Sequence, residues 1–105
     1  MTDEVPRVSV AIPTWNRAHL VGRAIRSALA QTFQDFELCV VDDGSTDGTS
    51  QVVAEVADPR VAYVRLEENG GISRARNTAI RRARGEWMGF LDDDNEAAPD
   101  YLQRQ

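Results

Sequence analysis

The feature that most constrains the fold of this chain is a regular alternation of short β-rich runs with helical patterns. Apolar and β-branched residues concentrate in four runs, at 8–12, 36–41, 61–66 and 87–91. Between these runs, apolar residues recur at helical spacing over about 18–31, 47–57 and 72–83. Strands joined by helical crossovers form right-handed βαβ units and a parallel sheet. The alternation therefore predicts one α/β domain over residues 1–105. Its three layers would be helices, a mainly parallel sheet of about four strands, and helices again.

Polar clusters follow all of the predicted strands, at the positions where each strand should end. In a parallel α/β sheet the carboxyl ends lie on one edge, and ligands bind in the crevice outside it. We therefore expect these clusters to form one ligand site. They are Thr14, Asn16 and Arg17 after the first strand, Asp42 and Asp43 after the second, Glu67, Glu68 and Asn69 after the third, and Asp92, Asp93 and Asp94 after the fourth.

The acidic triplet Asp92, Asp93 and Asp94 is the strongest chemical signal among these clusters. Adjacent carboxylates repel one another, and a hard divalent cation such as Mg²⁺ relieves that repulsion while bridging to substrate phosphates. The alternative is a solvated acidic turn, which is the more common origin of an isolated acidic run. The other clusters on the same predicted edge favour a metal-nucleotide site.

Composition excludes several classes of function. The net charge of −5 argues against a sequence-independent nucleic-acid binder, which needs a basic face. All basic residues are Arg, so neither a Schiff-base lysine nor a P-loop lysine is present. The single cysteine, Cys39, lies in an apolar run and is expected to be a small buried side chain.

The chain contains no run approaching the roughly 20 apolar residues of a membrane span, so no transmembrane segment is expected. The acidic start at Thr2, Asp3 and Glu4 differs from the basic start of a signal peptide. We therefore expect a cytoplasmic location.

Other nucleotide and hydrolase motifs are missing from the sequence. No Gly-x-Gly-x-x-Gly, Walker motif or Gly-x-Ser-x-Gly elbow occurs.

The pair Asp42 and Asp43 has two interpretations: a turn with a local side-chain cap, or one capping carboxylate beside another that accepts from a nucleobase N–H. Gly70 and Gly71 open a helix whose N-terminus suits an anion. His19 is interpreted as a surface residue.

Seven blocks in this order resemble the nucleotide-sugar-binding half of a family-2 glycosyltransferase with the GT-A fold, which is Rossmann-like. The match covers nearly the whole chain and continues to Pro99. The blocks are VSVAIPTWNR at 8–17, SALAQTF at 27–33, FELCVVDDGSTD at 36–47, NGG at 69–71, ARN at 75–77, ARGEW at 83–87 and FLDDD at 90–94.

The resemblance implies a donor site for a nucleotide-diphosphosugar, most commonly a UDP-sugar, with Mn²⁺ or Mg²⁺. It implies that Asp43 accepts from the base, that Arg76, or else Arg74, approaches the nucleotide, and that Asp92 and Asp94 act as an Asp-x-Asp metal motif. Asp92 or Asp93 would also meet the ribose or metal-bound water. The implied nucleotide-sugar contacts are Pro13, Thr14, Asn16, Arg17, Asp43, Arg76, Asp92 and Asp93.

The chain departs from the family pattern in two places. Asn95 stands where many relatives have another Asp. Such enzymes also continue into an acceptor-binding half, which in inverting members holds the general base. We therefore expect a truncated donor-binding domain without catalysis of its own and assign no catalytic residue. The rival interpretations are a sugar-nucleotidyltransferase, against which the lack of glycine at 13–17 argues, and a non-catalytic binding or self-associating module.

Overall fold

The predicted alternation of strands and helices is confirmed in the computed structural model, which describes residues 6–67 and 69–93. The elements in chain order are β1 (Val8–Thr14), α1 (Ala18–Leu29), β2 (Phe36–Asp42), α2 (Thr49–Val56), β3 (Val61–Arg65), α3 (Ile72–Arg82) and β4 (Trp87–Phe90). Each observed element overlaps its predicted counterpart, and boundaries shift by a few residues at most. Within the described residues, no helix is long and apolar enough to cross a membrane.

The four strands form one parallel sheet in the order β3-β2-β1-β4. β1 extends two residues beyond its predicted end, so that Pro13 pairs with Val41 and Thr14 with Asp42. On the other side, β4 pairs only with residues 8–11 of β1. Proline lacks an N–H and usually weakens a central strand. Pro13 is tolerated here because it lies beyond the stretch paired with β4.

The sheet buries a different core on each face, as expected for three layers. Alternate residues of a strand point to opposite faces, so Val10 and Ile12 face one core while Ala11 faces the other. α1 and α2 cover the first core, to which Val21, Ala24, Ile25, Ala28 and Val53 contribute. The second core uses Ala75 and Ala79 of α3 against Cys39 and Val41 of β2.

Cys39 is buried in the second core, as predicted. Burial raises the pKa of its thiol, because desolvation disfavours the thiolate. A protonated, buried thiol is a poor nucleophile. Cys39 therefore acts as a small apolar side chain between the sheet and α3.

The connection from α3 to β4 is held against β1 and β2 by polar contacts at the amino edge of the sheet. Ser9 Oγ donates to Glu37 Oε2 at 2.5 Å, and Gly85 N donates to Ser9 Oγ at 2.8 Å. Arg84 adds a backbone hydrogen bond of 2.7 Å and an ion pair of 3.0 Å to Glu37. Burial raises the pKa of Glu37, but the hydrogen bonds from Ser9 and Arg84 outweigh it and hold that pKa below its ordinary value.

Gly85 follows α3 but is not its C-cap, which is Ala83. α3 ends at Arg82, and Ala83 already has an extended backbone with φ −65° and ψ 135°. A Cβ on Gly85 would lie 2.6 Å from Ser9 N and 2.7 Å from Val8 C. Gly85 is therefore needed because the chain passes directly against the backbone of β1.

Candidate functional site

The loops at the carboxyl edge of the sheet enclose a cavity of about 280 Å³. They follow β1, β2 and β4 and precede α3, as the sheet-edge rule predicts. Their side chains form a wall that is part apolar and part acidic. The lining residues are Pro13, Thr14, Trp15, Arg17, Asp43, Asn69, Gly71, Ile72, Ala75 and Asp93.

Several of the residues predicted from sequence lie together in this cavity. Pro13 and Thr14 line it from the end of β1, and Arg17 from the loop that follows. Asp43 lines it from the loop after β2, and Asp93 from the turn after β4. Asn16, Arg76 and Asp92 are not among the lining residues. The cavity therefore brings four elements to one place but uses a narrower set of side chains than the sequence predicted.

The two carboxylates at the end of β2, Asp42 and Asp43, point in different directions. Asp42 is 1% exposed; its Oδ1 accepts from Ser45 N at 2.8 Å, and its Oδ2 accepts from the Tyr63 hydroxyl. Asp42 is thus the locally capping member of the pair. Desolvation, together with the hydrogen bond to Asp42, raises the pKa of Tyr63 well above its ordinary value. A neutral Tyr63 hydroxyl is the form that donates to a buried carboxylate.

Asp43 faces the cavity but already accepts two backbone hydrogen bonds. Its Oδ1 accepts from Gly70 N at 2.9 Å, and its Oδ2 accepts from Gly71 N at 2.8 Å. These bonds use two of the roughly four acceptor positions of a carboxylate, so Asp43 can still accept from a ligand N–H. Gly71 has φ +92°, a conformation that glycine adopts without strain. Asp43 fixes the glycine loop, and through it the start of α3, against β2.

Asn16 ties two loops together instead of lining the cavity. Its backbone φ is +53°, in the left-handed region that Asn tolerates better than most residues. Its N–H donates to Ser45 Oγ at 2.8 Å, and its Oδ1 accepts from Thr46 N at 2.8 Å. The loop after β1 is therefore held in place by the loop after β2.

Asp47 reinforces the same junction by capping two helices. Its Oδ2 accepts from Ala18 N, at the start of α1, at 3.1 Å. Its Oδ1 accepts from Thr49 N at 3.1 Å and from Thr49 Oγ at 2.5 Å, at the start of α2. Neither helix receives a side-chain bond from its own N-cap residue, Arg17 or Gly48. The hydrogen bond from the Thr49 side chain leads the contacts that lower the pKa of Asp47.

The two arginines near the start of α3 lie on different sides of the site. The Arg76 guanidinium lies over the Phe90 ring, 5.6 Å from its centroid. Arg74 packs its side chain against Gly70, where a Cβ would come within 2.2 Å of Arg74 Cδ. Arg74 thus covers the glycine loop beside the cavity, while Arg76 covers the end of β4.

The acidic triplet enters the described structure only in part. Asp92 is exposed, Asp93 lines the cavity, and Asp94 lies outside the described residues. Thr14 Oγ donates to Asp93 Oδ2 at 2.8 Å. Among residues 6–67 and 69–93, no group of three potential metal ligands occurs. Mg²⁺ commonly needs only one or two carboxylates with substrate phosphates and water, so Asp93 at the cavity wall fits such an ion.

Sequence reasoning missed the apolar part of the cavity wall. Trp15 and Ile72 line it and are 49% and 55% exposed, which is unusual for large apolar side chains in a well-packed domain. The sequence does contain a signal for this: Trp15 stands between the polar residues Thr14 and Asn16, where β1 connects to α1 and a buried apolar side chain is not needed for the core. Such side chains suit contact with a planar ligand.

Comparisons with known proteins agree on one family. A sequence model described as Glycosyl transferase family 2 matches residues 9–105. The succinoglycan biosynthesis protein ExoO of Rhizobium meliloti (strain 1021) is 45% identical over 102 residues, which are 97% of this chain and 29% of ExoO.

Solved structures give the same result. S. aureus TarS 1-349 in complex with UDP-GlcNAc matches with a TM-score of 0.88 and 34% identity, over 93% of this chain and 29% of TarS 1-349. The mannosyltransferase PcManGT from Pyrobaculum calidifontis, in complex with GDP-Man and Mn²⁺, matches with a TM-score of 0.84 and 36% identity, over 95% of this chain and 31% of PcManGT. The chain thus spans less than a third of each of these proteins.

Proposed function

This chain belongs to glycosyl transferase family 2, and from that premise we propose that it is the donor-binding part of a glycosyltransferase. In this proposal it holds a nucleotide-diphosphosugar through a divalent metal while the sugar passes to an acceptor hydroxyl. The observation that carries the proposal is the cavity in which Thr14 at the end of β1, Asp43 after β2 and Asp93 after β4 meet. The donors bound to TarS and PcManGT, UDP-GlcNAc and GDP-Man, support this class of ligand.

The nucleoside is proposed to occupy the part of the cavity between Trp15, Ile72 and Asp43. An aromatic side chain gains about 1–3 kcal/mol by stacking on a base, whatever the base is. Asp43 has acceptor positions beyond the two that Gly70 and Gly71 use. A uracil N–H would be satisfied by one of them. Pro13 and Arg17 complete the wall, and we expect a UDP-sugar as donor.

The metal is proposed to lie beside the acidic triplet, held by Asp94 and Asp92 as the family resemblance implies, with Asp93 at the cavity wall. Mn²⁺ and Mg²⁺ both take carboxylate oxygen. When bound, such an ion stabilises the charge of a departing diphosphate. Because Asp93 lines the cavity proposed for the nucleoside, a metal beside Asp93 would keep the diphosphate of the donor next to that cavity. We assign no general base, so the proposal gives this chain only the donor side of the reaction.

Titration calorimetry of UDP in the presence of Mn²⁺ tests the donor site. We expect the wild-type chain to release heat on binding and Asp94→Ala to lose most of the metal-dependent part. Asp35→Ala is a matched control, because it removes the same charge immediately before β2, at the opposite edge of the sheet. Equal heats for the wild type and Asp94→Ala, or no heat from either, would contradict an intact donor site.

Self-association is a second proposal, favoured by apolar exposure beside β4. Among the described strands β4 lies at the edge of the sheet, and its Trp87 is 61% exposed; Ile80 of α3 is 53% exposed. Open strand edges and exposed apolar side chains promote association. Light scattering over a range of concentrations should then show a species larger than the monomer, reduced in Trp87→Ser. A monomer at all concentrations would contradict this proposal.

A further inference from the structure

The ends of β1 and β4 meet where the order of strands reverses. From β1 the chain builds outward through β2 to β3 and then crosses to β4 on the other side of β1. Such a switch point opens a crevice, because the loops on its two sides leave in opposite directions. Thr14 and Asp93 face each other across it, and their 2.8 Å hydrogen bond joins residues 79 positions apart.

Thr14 is the fixed partner in this hydrogen bond. It is the last residue of β1 and only 4% exposed. Its carbonyl oxygen accepts from Asp43 N at 2.9 Å, and it pairs in register with Asp42. The backbone that carries the Thr14 hydroxyl is therefore held in place by its hydrogen bonds at the centre of the sheet.

Asp93 is the partner that needs to be fixed. β4 has four residues, and Leu91 N donates to Ala11 O at 2.9 Å just beyond its end. Asp93 follows two residues later, next to the exposed Asp92. Like charges on adjacent carboxylates repel and favour divergent rotamers. A hydroxyl donor holds one oxygen of Asp93 while its remaining acceptor positions stay available to a cation or a ligand hydroxyl.

We infer that Thr14 is a positioning residue whose hydroxyl aims Asp93 at the metal-diphosphate end of the donor site. The inference rests on the proposed donor function, because the metal belongs to that proposal. It differs from the role that the family resemblance implies for Thr14, a direct contact with the nucleotide-sugar, of which the nucleoside is the part nearest this residue in the proposed site. A nucleoside contact would change UDP affinity equally with and without metal. A positioning role would mainly reduce the gain in UDP affinity that the metal provides.

The test compares Thr14→Val, which keeps the side-chain shape without the donor, with Thr14→Ser, which keeps the hydroxyl. UDP affinity is measured for each variant with and without Mn²⁺, and circular dichroism melts establish that both are folded. In this inference Asp93 contacts the metal directly or through its bound water, beside Asp92 and Asp94. Removing the outer hydrogen-bond partner of such a group commonly costs about 10–100-fold in metal affinity. We therefore expect the ratio of the two UDP affinities to fall about tenfold or more in Thr14→Val and to be largely restored in Thr14→Ser.

Equal losses of affinity with and without Mn²⁺ in Thr14→Val would overturn the inference in favour of a nucleoside contact. Equal losses in Thr14→Val and Thr14→Ser would reduce the role to packing. A double variant, Thr14→Val with Asp93→Ala, tests the contact without any ligand, because alanine has no acceptor for the hydroxyl. Its melting shift should be smaller than the sum of the single shifts, and an additive shift refutes the contact. A wild-type chain whose UDP affinity does not respond to Mn²⁺ overturns the proposed metal site as well.

Discussion

Asp47 carries the sharpest prediction about stability, because one carboxylate caps two helices. Its two oxygens serve different N-termini, with Oδ2 accepting from Ala18 N of α1 and Oδ1 from the backbone and hydroxyl of Thr49 of α2. Losing one side-chain cap typically costs about 1 kcal/mol. Asp47→Ala removes both caps and should lower the free energy of unfolding by about 2 kcal/mol. That corresponds to roughly 8–16 °C in Tm for a domain of this size.

Asp47→Asn divides the effect in two. An amide has a single acceptor oxygen, so it can cap one helix while its NH₂ group faces the N–H of the other. We expect a loss of about 1 kcal/mol, half that of Asp47→Ala. Glu55→Ala is the matched control, since it removes one negative charge from an exposed position of α2. That change should stay within about 0.5 kcal/mol of the wild type.

Urea unfolding followed by circular dichroism measures these differences at constant m. The pH dependence follows from the lowered pKa of Asp47, whose ordinary value is 3.8. A depressed folded-state pKa adds stability that is present well above 3.8 and is lost as the pH falls through the folded-state value. The gap between wild type and Asp47→Ala should therefore narrow in acid. A loss no larger than that of Glu55→Ala, or an Asp47→Asn variant as stable as wild type, would refute the double cap.

Three further changes test other parts of the fold. Gly85→Ala places a Cβ 2.6 Å from Ser9 N, so overpacking should cost about 1–3 kcal/mol in urea unfolding; an unchanged midpoint would contradict the close approach. Tyr63→Phe removes the donor to buried Asp42 and should cost about 1.5–3 kcal/mol at neutral pH. The pKa of Tyr63 is raised above its ordinary value of 10.0. The stability that the Tyr63 hydroxyl contributes is therefore present below pH 10.0 and lost as the pH rises through the folded-state pKa. The difference in stability between wild type and Tyr63→Phe should close in alkali, and a constant difference argues against the contact. Ala57→Gly replaces a left-handed C-cap with φ 50° and should stabilise α2 by about 1 kcal/mol, which thermal unfolding would detect; a loss of stability would count against this cap geometry.

The sequence predicts which loops meet at this edge of the sheet better than it predicts which side chains line the cavity. The sheet-edge rule brought Thr14, Asp43 and Asp93 into one prediction, and the structure places all three around one cavity. Asn16 was predicted to line that cavity, yet its side chain bridges to the next loop at Thr46. Trp15 belonged to the recognised motif but was not assigned to the site. A sequence motif identifies which loop takes part in the site. Which of its side chains point into the cavity depends on their contacts with the neighbouring loop.

The sequence by itself determined the order of strands and helices, the two-sided sheet and the edge on which the loops gather. These follow from local periodicity and from the handedness of βαβ units, and both are encoded within a few residues. Only the tertiary structure decided the partner of each polar side chain. Asp47 reaches a helix 29 residues earlier, and Thr14 reaches Asp93 across 79 residues. Such pairs form because the sheet closes at a particular register and strand order, and no local pattern records those distances.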